Sequence, residues 1–281
     1  MAARQTGFRG AHSSGVAFTG VCRQLAFIGA YLRANLASAL EYRTSLVSQV
    51  LGMFLNNALW VFFWALYFTR FPVLRGWTLN DVVVLWAAAS TAYGLAVGLM
   101  GNVLRLPQLI VQGQLDYFLA LPRNVLLHVL VSQVRVVNLG DLLFGPVLLL
   151  VIVRPTWAQL AVFAACSVLA ALVLLGFLIL VGSAAFFVGH ADALLAQVVN
   201  ALIHFSTYPA RIFDGGVRVL LYTALPAAFV STVPVELVRQ FHWNGLLGLA
   251  CATAVFMGLG IWTFHRGLRR YESGNLLIMR S

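Results

Sequence analysis

TSLVSQVLGMFLNNALWVFFWALYFT, residues 44–69, runs for 26 positions without a charge between Arg43 and Arg70. The hydrocarbon core of a bilayer is about 30 Å thick and a helix rises about 1.5 Å per residue, so about 20 mostly apolar residues cross it. This stretch is long enough, and its apolar residues run all around the helix instead of along one stripe. Six further stretches have the same character: 82–101, 125–153, 158–188, 192–212, 217–234 and 242–265. The sequence therefore predicts an all-α membrane protein.

Composition agrees. Of 281 residues, 61% are hydrophobic and 9% charged, against about 25% charged in soluble domains. The net charge is +10, and all eighteen basic residues are arginine. The arginines flank apolar runs and form no patch, so no nucleic-acid partner is expected. Without a lysine, the chain has no G-x-x-x-x-G-K-[ST] loop to cradle nucleotide phosphates, and no Schiff-base chemistry. Cys22, Cys166 and Cys251 lie far apart and suggest neither disulfides nor a thiolate metal site. The histidines are scattered with no H-E-x-x-H pattern, and no serine sits in a G-x-S-x-G context. No catalytic, metal or cofactor site is expected in this chain.

Charge sets the orientation. Arg4, Arg9, Arg23, Arg33 and Arg43 precede the first apolar run, and Arg266, Arg269, Arg270 and Arg280 follow the last. Arginine-rich flanks favour the cytoplasm, so both termini are expected inside and the number of crossings even. One of the seven stretches then does not cross. The expected exception is 217–234, which contains Pro226, ends at Pro234 and follows Pro209 and the Asp214-Gly215-Gly216 turn. It is expected to dip back as an external re-entrant hairpin over 214–236, leaving spans at about 46–69, 82–101, 125–153, 158–188, 192–212 and 242–265. If 192–212 were the non-crossing segment, Arg211 and Arg218 would move inside, and charge counting mildly prefers that version.

Two segments look apolar without crossing. In 23–43, Leu25, Ile28, Leu32, Leu36 and Leu40 form one stripe opposite Arg23, Arg33 and Arg43, as suits an interfacial helix at the headgroup boundary. A polar tail, 1–22, precedes it, and a cytoplasmic tail, 271–281, follows the single transmembrane domain of 44–270. The link NVLRLPQLIVQGQLDYFLALPRN, 102–124, is too polar to cross and too apolar for a solvated linker. A short helix is expected at about 106–121, between Pro107 and Pro122. Leu109, Ile110, Leu115, Tyr117, Phe118 and Leu119 would be exposed on it unless covered, which marks a docking surface or packing against the membrane boundary.

The segment GQLDYFLALP, 113–122, resembles the G-x-L-D-x-x-L-x-x-P segment of ABC-2-type exporter permeases, in the branch of small six-span bacterial proteins. The likeness falls on Gly113, Leu115, Asp116, Leu119 and Pro122. Residues 208–234 resemble the same family's external broken helix pair, through Tyr208, Pro209, Phe213, Pro226 and Pro234. The resemblance implies that 106–121 is a coupling helix seated in a groove of a separate ATPase subunit, which would hold the ATP and magnesium. It further implies a bacterial plasma (inner) membrane location, two ATPase copies and a second permease subunit, identical or similar. Outward transport, of a lipophilic or amphipathic substrate, also comes from the resemblance.

Polar residues inside spans are expensive and draw functional readings. Asp141 lies six residues from Arg135 and three from Asn138, and either Arg135 or another helix is its expected partner. Gln197, Asn200, His204, Tyr208 and Arg211 share one helical face, which points to other protein or a wet cavity. Asn200, His204, Tyr208, Arg211 and Asp141 are thus candidates for a translocation route, with interhelical hydrogen bonding as the alternative. Gly94 and Gly98 in one span, and Ala250, Ala254 and Gly258 in another, read as packing steps. An ion-gradient-driven transporter would show inverted repeats with two broken helices and midplane carboxylates; here there is one broken segment and one such carboxylate. A non-transporting scaffold is the other alternative.

Overall fold

The computed structural model describes residues 13–271, with side chains described from Gln24 onward except at Leu25. The tail calls on 1–12 and 272–281 lie outside it. The described residues are helical apart from turns and one isolated bridge between Leu74 and Trp77.

Helix α1, Ser13–Glu41, leads almost directly into α2, Arg43–Arg70. α1 starts ten residues before the expected 23, so the stretch 13–22 is helix and not tail. No proline interrupts it, and propagating an existing helix costs little. Next come α3, Leu79–Gly98, then the short α4, Leu106–Val111, α5, Leu115–Leu119, and α6, Val125–Val131. The long helices α7, Val136–Val153, and α8, Trp157–Val188, follow. α9, Asp192–Ser206, precedes a bent pair, α10, Gly216–Tyr222, and α11, Ala227–Arg239; α12, Trp243–Leu268, closes the fold.

Five helices (α2, α3, α7, α8 and α12) are long and apolar enough to cross a membrane, or six if the pair bent by 59° counts as one span. Two expected spans change. The predicted 125–153 is broken at 132–135, so the long helix starts only at Val136. The break is held by α3: the Gly101 N–H donates to the Gln133 carbonyl at 2.8 Å and the Arg135 N–H to the Gly98 carbonyl at 2.9 Å. The predicted 192–212 is helical for 15 residues only, because Pro209 lacks the N–H that would carry the helix onward.

The helices pack through small residues. A Cβ at Gly94 would overlap the Leu142 backbone, and one at Gly145 would overlap Thr91 Oγ1 and the Ala87 carbonyl. α8 and α12 meet where Gly176 faces the Met257 backbone and Gly260 faces the Gly176 carbonyl. The predicted Gly258 step is not used: its Cβ position is open, and Leu249, Thr253, Phe256 and Gly260 make the buried face. α3 is central, 89% buried over its apolar window, whereas α2 is 11% buried. Trp157 and Trp243, at the starts of α8 and α12, are exposed, as suits anchors at a membrane boundary.

Two ends of the bundle are distinguishable. At one, Arg75 in the 71–78 turn donates to the Arg211 carbonyl at 3.2 Å and to Asp214 at 2.7 Å. At the same end Arg239 reaches the Gly76 carbonyl at 3.4 Å and Asp81 at 3.5 Å. Entry to and exit from the bent pair are thus tied to one turn. The other end carries residues 101–135, and there the start of α9 packs on α4. α9 therefore runs from one end toward the other, and its continuation places the Tyr208 ring 5.7 Å from Trp64.

Candidate functional site

At the end formed by 101–135, the chain expected to be one helix over 106–121 is two, α4 and α5, turned at Gly113, whose φ of +71° favours glycine. The turn folds most of the apolar residues inward. Leu109, Ile110, Leu115 and Phe118 are buried in the main core, so the cover that these residues were expected to need comes, for four of the six, from the protein itself. What remains outside is Tyr117, 66% exposed, and Leu119, 44% exposed, with Pro122 also exposed and Asp116 half-buried. Burial, and the Asp116 carboxylate beside it, push the Tyr271 hydroxyl up to about 12. Tyr271, just past the end of α12, thereby lies beside α5.

The same end holds a cluster that sequence patterning did not reveal. His128 of α6 meets Phe27 and Tyr31 of α1 and Phe118 of α5 at ring distances of 5.2, 5.1 and 5.1 Å. The Tyr31 hydroxyl lies in hydrogen-bond contact with His128 Nε2. Burial, with Arg123 nearby, holds the His128 pKa below its ordinary 6.5. α1 thus packs through Phe27, Tyr31 and Asn35, and leaves Leu36 and Leu40 of the predicted stripe exposed.

Between α2, α3, α7 and α9 lies a cavity of about 140 Å³. Asp141 lines it and is 2% exposed. Of its two expected partners it finds another helix and not Arg135: Asn57 of α2 donates to Oδ1 at 2.7 Å, and Asn138 of its own helix to Oδ2 at 2.9 Å. Arg135 is kept at the chain break, where its backbone is bonded to Gly98. Trp60 and Trp86 stack in the cavity wall, 6.1 Å apart and 18° from parallel. Asn56, Ser90, Tyr93, Ser206 and Thr207 add to its polar lining.

Of the route candidates, Asp141, His204 and Tyr208 meet in this cavity. Asn200 lies on the same helix but is exposed outside it. Arg211 belongs instead to the ion network at the far end, paired with Glu236 at 3.1 Å. Asn56 and Asn57, two amides in the middle of the first apolar run, were the readable signal that α2 contributes. Pro209 and Pro226 are buried at the turns flanking α10, and Pro234 sits in the first turn of the helix Thr232–Arg239, where a missing N–H is tolerated.

The model of the family described as "ABC-2 family transporter protein" matches residues 54–274, which include both stretches that carry the sequence resemblance. No curated protein matches the chain, and no solved structure does.

Proposed function

The chain belongs to the ABC-2 transporter family, and we propose that it is the permease subunit of an exporter, working as a dimer on ATP hydrolysed by two separate ATPase chains. The single observation that carries this reading is the exposed pair Tyr117 and Leu119, on a segment where Leu109, Ile110, Leu115 and Phe118 are buried. An aromatic and an aliphatic side chain held out on a rigid base suit insertion into a groove of a partner.

The arrangement also supports a route for the motion. α5 touches α6 through Phe118 and His128, and the break at 132–135 joins α6 to α7, which carries Asp141. A push on Tyr117 and Leu119 by closing ATPases would reach the cavity wall through these contacts. The exposed Gln197, Asn200 and His204 on α9 favour a second permease, since an amide face inside a membrane requires protein or water. The polar cavity with stacked aromatic walls fits a lipophilic or amphipathic substrate.

We read the bent pair α10–α11 as re-entrant, which leaves α9 as the fifth crossing and both termini cytoplasmic, in a bacterial inner membrane. Common anchoring of Asp214 and Arg239 to the 71–81 segment supports this. The test of function is co-purification: Tyr117→Asp with Leu119→Asp should strip a phosphate-loop ATPase from the permease isolated from native membranes, while the permease stays inserted. Undiminished ATPase recovery would sink the coupling assignment.

A further inference from the structure

We propose that the cavity around Asp141 recognises an amphipathic organic cation, a compact ammonium group on an aromatic or alkyl body. The inference rests on the reading of this cavity as part of the translocation route, and adds the chemical class of what passes.

The first ground is charge. Asp141 supplies the carboxylate in the cavity wall, and no arginine lines it among the described residues. Each carboxylate oxygen already accepts one amide N–H, from Asn57 and from Asn138. That arrangement suits the ionised form, which accepts at both oxygens and retains further lone pairs for a cation. An anion brought beside this carboxylate would be repelled, and an uncharged chain would gain nothing from it.

The second ground is the walls. Trp60 and Trp86 lie stacked, with Tyr93 on the same helix as Trp86 and Tyr208 just past the end of α9. Aromatic faces carry negative potential and attract ammonium groups, the more so when water is excluded.

The full permease with its ATPase, in phosphatidylglycerol nanodiscs, tests this by equilibrium binding of radiolabelled benzyltrimethylammonium. The competitor is its uncharged isostere, 2,2-dimethylpropylbenzene. Saturable binding is expected, with the isostere at least about tenfold weaker. Asp141→Asn should weaken the cation at least about tenfold, and Asp141→Glu should retain most of the binding. Adding phosphatidylethanolamine to the nanodiscs separates sources: competition points to an amine-bearing lipid as the physiological cation, its absence to a free amphiphile. Equal affinity for the isostere overturns the cation class while leaving the cavity as a route. Cation binding unchanged in Asp141→Asn and Trp60→Ala, or no saturable binding, overturns the site. Reaction of a cysteine at Asn56 with a charged thiosulfonate tests the wet route separately.

Discussion

Asn57 of α2 donates its amide to Asp141 of α7 across 2.7 Å, joining two residues 84 positions apart in the chain. The bond lies among apolar side chains, where a carboxylate left with fewer donors is expensive. It fixes both the approach of α2 to α7 and the orientation of the carboxylate toward the cavity.

Replacing Asn57 by Leu should destabilise the protein by about 1–3 kcal/mol, because Asp141 loses a donor it cannot replace from water. The triple variant Asn57→Leu, Asn138→Leu and Asp141→Leu should recover much of that loss, and the double variant Asn57→Leu with Asp141→Leu less of it, since Asn138 is then left without the carboxylate it donates to. Thermal unfolding in detergent measures all three. A double variant as weak as the sum of the singles would show that the pair is not coupled.

Cysteines introduced at Gly216 and Gln240 should react with a membrane-impermeant maleimide from one and the same side, outside. Both positions are exposed, and both lie at the end where Arg75 and Arg239 tie the bent pair to the 71–81 segment. Labelling from opposite sides would make the pair a full crossing.

The ion pairs at that end are exposed, 51% and 77% for Arg75 and Asp214. Arg75→Ala alone should therefore change global stability by no more than about 1 kcal/mol. With Arg239→Ala added, hydrogen exchange over residues 214–239 should accelerate while the rest of the bundle stays protected. Unchanged exchange there would mean that packing alone holds the pair.

Gly145→Ala should destabilise by about 1–3 kcal/mol, since the added methyl overlaps Thr91 and the Ala87 carbonyl and α7 must back away from α3. Gly258→Ala is the control. Its site is open, so it should be neutral or mildly stabilising in a helix. Unfolding midpoints of the two variants decide the matter.

The contact between α1 and α6 should depend on pH. His128 has a folded pKa below 6.5, so the unfolded or detached state binds a proton more readily. The contribution of neutral His128 is complete above its ordinary pKa and falls away as pH drops below 6.5 toward the folded value. Cleavage within residues 24–41 should thus be faster at acid than at neutral pH, and His128→Phe should flatten the difference. A pH dependence that survives the substitution would assign it to another group.

Helices and their membrane character were legible in the sequence because they depend on local composition. Twenty-six uncharged residues need no tertiary context to be a span, and the spacing in Gly113–Pro122 was enough to suggest a partner. The absence of lysine by itself excluded the usual phosphate loop.

Tertiary structure decided what depends on which residues meet. Leu109, Ile110, Leu115 and Phe118 look as available as Tyr117 and Leu119 until the turn at Gly113 folds them into the core. Asp141 takes a partner from a distant helix and not Arg135 six positions away, because the break at 132–135 holds Arg135 beside Gly98. Sequence spacing gives the helical face on which a polar group lies; only packing decides which other helix that face meets.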